Sequence, residues 1–105
     1  MSKPAKISFS ELFFSDLDDI FEYISQNFSQ DLAYDIIRNL QQEIIERLKV
    51  QPTCGRVYPD DDFYRYIFVS KRKDIVFYHI GGSGAVIVYR IFDQRRDFAS
   101  ILSGA

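Results

Sequence analysis

Two strand-like runs joined by a glycine-rich turn fill much of the last third of the sequence. Residues 74–80 form the first run, residues 85–92 form the second, and the turn between them, residues 81–84, reads Gly-Gly-Ser-Gly. Both runs are rich in β-branched and aromatic residues, and glycines let the chain reverse tightly, so this stretch predicts a β-hairpin. The second run ends among arginines and aspartates, and we therefore expect a sheet edge that presents charge to a partner.

Upstream of the hairpin, the hydrophobic periodicity predicts one strand and two helices. Residues 5–9 alternate between apolar and polar side chains, as a half-buried strand does. Apolar residues then recur at three- and four-residue steps up to Phe28, and again over residues 31–49. The sequence therefore predicts two amphipathic helices joined by a short turn, the first of which begins at Ser10 or Ser15.

The segment between the helices and the hairpin predicts an exposed loop followed by one more strand. Residues 56–62 contain a proline and three consecutive Asp residues, which favour a solvated loop, and residues 63–69 are again rich in strand formers. The element order is then β-α-α-β-β-β, in a single domain over residues 1–105. This order predicts an α+β fold, with a helical hairpin packed on one face of a small, mainly antiparallel sheet whose other face is partly open.

The composition limits the chemistry that such a domain can perform. One Cys and one His occur in 105 residues, so we expect no disulfide, no metal site and no cofactor. Cys54 has only His79 as a conceivable imidazole partner, and we expect an unreactive thiol there. The net charge is −2, with the basic residues concentrated in the second half. That balance is a weak pointer to an acidic partner and does not predict direct, sequence-specific binding of nucleic acid.

The hydropathy along the chain predicts a protein without membrane contact. No apolar run approaches the length of a bilayer span, and the first six residues lack the apolar core of a secretory signal. We therefore expect a cytoplasmic protein.

Five groups of residues occur in an order and at spacings that are typical of a known superfamily. In chain order they are Asp16-Leu17-x-x-Ile20-x-x-Tyr23-Ile24, Leu48 to Gly55, Tyr64-Arg65, Ile75-Val76-Phe77-Tyr78-x-Ile80 and Arg90-Ile91-x-x-x-Arg95-Arg96-Asp97. In this order the chain resembles, over nearly its whole length, the RelE/ParE superfamily of bacterial toxin components. The ParE branch is the closer resemblance, because an Arg-Ile/Val-Leu-His-Gly-Arg-Arg-Asp ending is typical of it. The present chain departs from that ending at Asp93 and Gln94.

The resemblance to ParE implies the toxin of a type II toxin-antitoxin system. Such a toxin inhibits DNA gyrase by binding rather than by catalysis, blocks replication, and is neutralised by a ParD-like antitoxin. The target-binding candidates that the resemblance implies are Arg90, Asp93, Gln94, Arg95, Arg96 and Asp97. For Arg90 the sequence leaves a second role open, which is pairing with Asp93 or Asp97.

The first helix carries more apolar surface than one buried face can hide. Three apolar residues precede its regular stripe, and we expect part of the helical hairpin, or the sheet edge beside it, to be covered by the antitoxin. The antitoxin-binding candidates are Leu12, Phe13, Phe14, Leu17 and Phe21.

A ribosome-dependent mRNA endonuclease of the RelE type is the alternative function. Such an enzyme needs a base, an acid and several cations around one phosphate. RelE-like nucleases usually place an arginine where this chain has Ile75, and some relatives place a histidine where it has Asp93. His79 is the remaining imidazole, and we expect it to be structural. A non-toxic relative that only binds an antitoxin is the third possibility.

Overall fold

A computed structural model describes residues 4–71 and 74–93 of the chain. Its helices and strands are β1 Ile7–Phe9, α1 Glu11–Asn27, α2 Gln30–Val50, β2 Arg56–Val57, β3 Arg65–Val69, β4 Asp74–Ile80 and β5 Val86–Asp93. A single 3-10 turn, Pro52–Cys54, connects α2 to β2. The predicted α+β class and the helical hairpin are confirmed.

The strands form one mixed sheet in the order β1-β5-β4-β3-β2. β1 runs parallel to β5, and every other neighbouring pair is antiparallel, so the prediction of a mainly antiparallel sheet is confirmed. The predicted hairpin is β4 and β5, and Gly84 in its turn has a φ of 87°, which side chains other than glycine rarely adopt.

The predicted loop over residues 56–62 is wrong at its start, because Arg56 and Val57 form β2. They pair with Tyr66 and Arg65 of β3. Both residues of β2 are exposed, so the strand has no alternation of buried and solvated side chains that periodicity could detect. The sheet consequently has five strands rather than four.

Ser10 determines where α1 begins. Its side-chain oxygen accepts a hydrogen bond from Phe13 N at 3.1 Å, which is the geometry of a helix N-cap. The same hydroxyl donates to the carbonyl of Tyr89 at 2.6 Å, and Ser10 N donates to the carbonyl of Val88 at 2.9 Å. Of the two start positions that the sequence predicted, Ser10 is therefore the correct one, and it also attaches the start of α1 to β5.

The main core lies between the helices and one face of the sheet. Phe13 and Leu17 of α1, Leu40 and Ile44 of α2, and Val88 of β5 are representative members, all of them buried. The apolar stripe predicted for α2 is only partly buried, because Leu32 and Ile45 are exposed and Ala33 is buried in their place.

Tyr78 and Gly55 join the loop after α2 to the core. The Tyr78 hydroxyl accepts a hydrogen bond from Gly55 N at 2.9 Å and donates to the carbonyl of Pro52 at 2.6 Å. A Cβ atom on Gly55 would lie 2.8 Å from the carbonyl oxygen of Tyr66, closer than real Cβ atoms approach. The loop can therefore come this close to β3 and β4 only with glycine at position 55.

The second face of the sheet carries a smaller aromatic cluster. Ile75, Phe77 and Phe92 are buried there beneath partly exposed tyrosines. Phe63 and Phe68 remain 43% and 46% exposed, so this face is only partly covered. Among the described residues, no helix is both long enough and apolar enough to cross a membrane.

Candidate partner-binding surfaces

Arg90 is held by a carboxylate from the first helix. Its Nε donates to Asp16 Oδ2 and its Nη2 donates to Asp16 Oδ1, both at 2.8 Å. Asp16 Oδ2 also accepts from Ile91 N at 3.0 Å. The sequence proposed Asp93 or Asp97 as the pairing partner of Arg90, whereas the structure shows a pair with Asp16, 74 positions away along the chain.

The short length of β1 explains how Asp16 reaches this strand. β1 pairs with β5 only from Val86 to Val88, and beyond that point the backbone of β5 needs another partner. The hydroxyl of Ser10 donates to the next carbonyl, that of Tyr89, and the carboxylate of Asp16 accepts from the amide of Ile91. The start of α1 thus continues the edge contacts that β1 begins.

A sequence signal for Asp16 existed, although the prediction did not use it. Asp16 lies three residues after Phe13 and four before Ile20, which places it on the apolar side of α1. An Asp on that side needs a buried partner, because an unpaired buried charge is costly.

The Arg90 guanidinium lies among aromatic rings on the open face of the sheet. Its Cζ is 4.6 Å from the centroid of the Phe92 ring, a cation–π distance. Hydrogen bonding to Asp16 raises the pKa of Arg90 above its ordinary value. Burial, and then the negative charge of Asp61, raise the pKa of the Tyr64 hydroxyl. Arg90 is therefore a fixed and largely neutralised charge.

Ile75, at the position of the nuclease arginine, and His79, the remaining imidazole, both lie in packed settings on the described sheet. Ile75 is buried on the open face of the sheet. His79 Nδ1 is 2.8 Å from the carbonyl oxygen of Phe63, and its ring stacks on the Phe63 ring with centroids 3.8 Å apart. One nitrogen and one ring face of His79 are thus in contact with Phe63.

The remaining target-binding candidates lie at and beyond the end of β5. Asp93 is half-buried and pairs in register with Asp74 of β4. Gln94, Arg95, Arg96 and Asp97 lie outside the described residues.

The antitoxin-binding candidates divide into two groups. Phe13 and Leu17 are 0% and 5% exposed, so predicting them as surface contacts was wrong; they face the sheet and form the core. Leu12 and Phe14, by contrast, are 54% and 46% exposed. Phe21 is half-buried against the exposed ring of Tyr34, at a centroid distance of 4.8 Å.

Further exposed apolar side chains on the helical layer were not predicted as contacts. Tyr23 and Phe28 on or next to α1, and Leu32 and Tyr34 on α2, are all exposed. They surround the turn between the two helices, so the exposed apolar surface is wider than the sequence indicated.

Within residues 4–71 and 74–93, no group of three or more His, Cys, Asp and Glu side chains could hold a metal ion. Cys54 is exposed at the end of the 3-10 turn.

A helical hairpin packed on a mixed sheet, whose first strand lies parallel to its last, defines an α+β protein of the RelE/ParE type. The family model described as "ParE toxin of type II toxin-antitoxin system, parDE" matches residues 7–98. The chain therefore belongs to the ParE toxin family, and the predicted resemblance is confirmed.

Solved structures are similar in fold. A chain from the chromosomal ParDE TA system from P. aeruginosa superposes with a TM-score of 0.75 at 14% sequence identity. The match covers 88% of the present chain and 98% of that chain, which establishes a common fold over almost all of both. No curated protein sequence matches the chain.

Proposed function

We propose that this toxin inhibits DNA gyrase and thereby blocks replication. It acts in the cytoplasm by binding, without catalysing a reaction, and a ParD-like antitoxin neutralises it. Membership of the ParE family supports the proposal.

The setting of His79 is the observation that favours binding over RNA cleavage. Ribose-directed cleavage needs a base and an acid that can reach one phosphate. His79 is the only imidazole of the chain; its Nδ1 contacts the Phe63 carbonyl and its ring lies against Phe63. At the position of the nuclease arginine, Ile75 is apolar and buried. The described sheet therefore offers a surface for contact more readily than a general acid-base pair.

The two layers of the molecule suit two different partners. We assign the antitoxin to the helical layer, where Leu12 and Phe14 are exposed on α1 and a wider apolar area surrounds the turn to α2. We assign gyrase to the end of β5, where the proposed target residues begin with Arg90. Because the two assignments name different residues, variants can test them independently.

A supercoiling assay with purified DNA gyrase tests the proposal. Addition of the toxin is expected to inhibit supercoiling or to trap cleaved plasmid, and addition of the antitoxin is expected to restore activity. An unaffected gyrase contradicts the proposal. Rapid cleavage of mRNA after induced expression would indicate the RelE-type activity, and normal growth would indicate a relative that only binds its antitoxin.

A further inference from the structure

An aromatic patch at one end of the open sheet face has no role in the assignments above. Phe63 lies two residues before β3 and stacks on His79 of β4, with ring planes only 7° apart. Tyr64 and Tyr89 adjoin it, at centroid distances of 5.0 and 5.8 Å from Phe63. His79 covers one face of the Phe63 ring, yet 43% of Phe63 is exposed. A partner therefore has an aromatic surface to stack on.

Carboxylates give this aromatic patch a negative character. Asp61 Oδ1 accepts a hydrogen bond from Phe63 N at 3.1 Å, and Asp62 is exposed beside it. The positive charge of Arg90 tends to lower the pKa of Tyr64, but this charge is paired with Asp16. In agreement with a negative environment, the charge of Asp61 adds to burial in raising the pKa of Tyr64.

We propose that the aromatic patch, Phe63, Tyr64, His79 and Tyr89 with the carboxylates of Asp61 and Asp62, binds an arginine-bearing segment of DNA gyrase. A guanidinium is planar and permanently charged, so it can stack on an exposed ring while its N–H groups pair with a carboxylate. Aromatic residues beside charged partners are also typical of interface hot spots.

The position of the patch favours gyrase as the occupant over the antitoxin. Tyr89 directly precedes Arg90 on β5, the strand that leads to the proposed target residues. The antitoxin candidates lie on the helical layer instead. This inference rests on the proposed function, since it takes gyrase to be the target.

Replacement of the exposed ring tests the inference. Phe63→Ala is expected to raise the toxin concentration needed for half-inhibition of supercoiling by about tenfold, as loss of a central aromatic contact does. Phe68→Ala is the matched control, because Phe68 is an equally exposed ring on the same sheet face, outside the patch. Antitoxin binding should be unchanged in both variants, which also confirms that they are folded.

A charge reversal provides a second test that does not depend on the ring. Asp62→Lys is expected to weaken inhibition by repelling an arginine, whereas Asp18→Lys makes the same change of charge on the exposed surface of α1 and should have no effect. If neither Phe63→Ala nor Asp62→Lys weakens inhibition by a toxin whose wild type inhibits gyrase, the inference is wrong and the proposed function stands.

Other outcomes also overturn the inference. An equal loss in Phe68→Ala would mean that the effect is not specific to the patch. Weakened antitoxin binding with normal inhibition in Phe63→Ala would assign the patch to the antitoxin. A wild-type toxin that leaves gyrase unaffected contradicts the proposed function itself.

Discussion

Asp16 on α1 and Arg90 on β5 form a two-pronged ion pair that connects the helical layer to the end of the sheet. The same carboxylate accepts the amide of Ile91, so three donors converge on one side chain that is only 6% exposed. Bidentate pairs of this kind fix orientation as well as contributing energy. The contact therefore fixes the Arg90 side chain and the adjoining backbone of β5 against α1.

Removal of this carboxylate should destabilise the fold. Asp16→Ala leaves Arg90 without a counter-charge and the Ile91 amide without its acceptor, and we expect a loss of about 2–3 kcal/mol in the free energy of unfolding. The expected cost is moderate because 20% of the Arg90 side chain is exposed to solvent. Urea denaturation measures it. Asp18→Ala, an exposed neighbour on the same helix, is the control and should change stability little; similar losses in both variants would contradict a role for the pair.

The Tyr78 hydroxyl should contribute to stability through its two hydrogen bonds. Tyr78→Phe keeps the buried ring but leaves the amide of Gly55 and the carbonyl of Pro52 without this partner. We expect a loss of about 1–2 kcal/mol in the free energy of unfolding, the cost of leaving buried polar groups unsatisfied. Tyr34→Phe removes a hydroxyl from an exposed ring and provides the comparison. Equal stability of the two variants would show that the bonds at Tyr78 contribute nothing.

The stability of the fold at alkaline pH should also depend on the Tyr78 hydroxyl. Burial raises the pKa of Tyr78 above its ordinary value of 10.0. The unfolded chain therefore loses this proton first as pH rises, so the stability is fully present below pH 10 and declines between the unfolded and folded pKa values. Unfolding measured from about pH 8 to about pH 11 should show a decline that is smaller in Tyr78→Phe. Tyr64, whose pKa is also raised, accounts for part of the remaining decline, and an identical decline in wild type and variant would exclude Tyr78 as a source.

Local patterns explain which parts of the fold the sequence could predict. The β4–β5 hairpin and both helices follow from periodicity and from short-range turn chemistry, each within a few residues. The parallel pairing of β1 with β5 and the contact between Asp16 and Arg90 join residues more than 70 positions apart. The place of Asp16 on the apolar side of α1 indicates that it has a buried partner, but no local pattern identifies that partner. β2 was missed for a different reason, because a strand of two exposed residues is too short to show any hydrophobic periodicity.

The candidate site was predictable to a smaller extent for a related reason. Composition indicates that the start of α1 has excess apolar surface. The run Leu12-Phe13-Phe14, however, does not indicate which of its three side chains faces the core. Only the N-cap at Ser10 and the packing against the sheet fix the rotation of the helix, which buries Phe13 and exposes its two neighbours.

Adjacent residues of α1 should therefore separate folding from antitoxin binding. Phe13→Ala creates a cavity in the core and should cost about 3 kcal/mol or more in the free energy of unfolding. Leu12→Ser combined with Phe14→Ser changes exposed side chains, so it should alter stability far less while weakening antitoxin binding. Denaturation and calorimetric titration with the antitoxin measure the two effects. Tight binding by the Leu12→Ser, Phe14→Ser double variant would exclude this part of the helical layer from the antitoxin interface.

The arginines that follow β5 should be required for the toxin to act on gyrase. Two adjacent guanidinium groups suit an anionic surface on a target, because each can bind a carboxylate or phosphate through paired N–H donors. Replacement of Arg95 and Arg96 by Ala should abolish inhibition of supercoiling while the thermal unfolding midpoint and antitoxin binding stay at wild-type values. Replacement of Lys6 and Lys49 by Ala removes the same number of charges from exposed positions, one directly before β1 and one on α2. This replacement should leave inhibition intact. Retained inhibition by the Arg95→Ala, Arg96→Ala variant would remove both residues from the target-binding surface, whereas an equal loss in the lysine variant would attribute the effect to net charge alone.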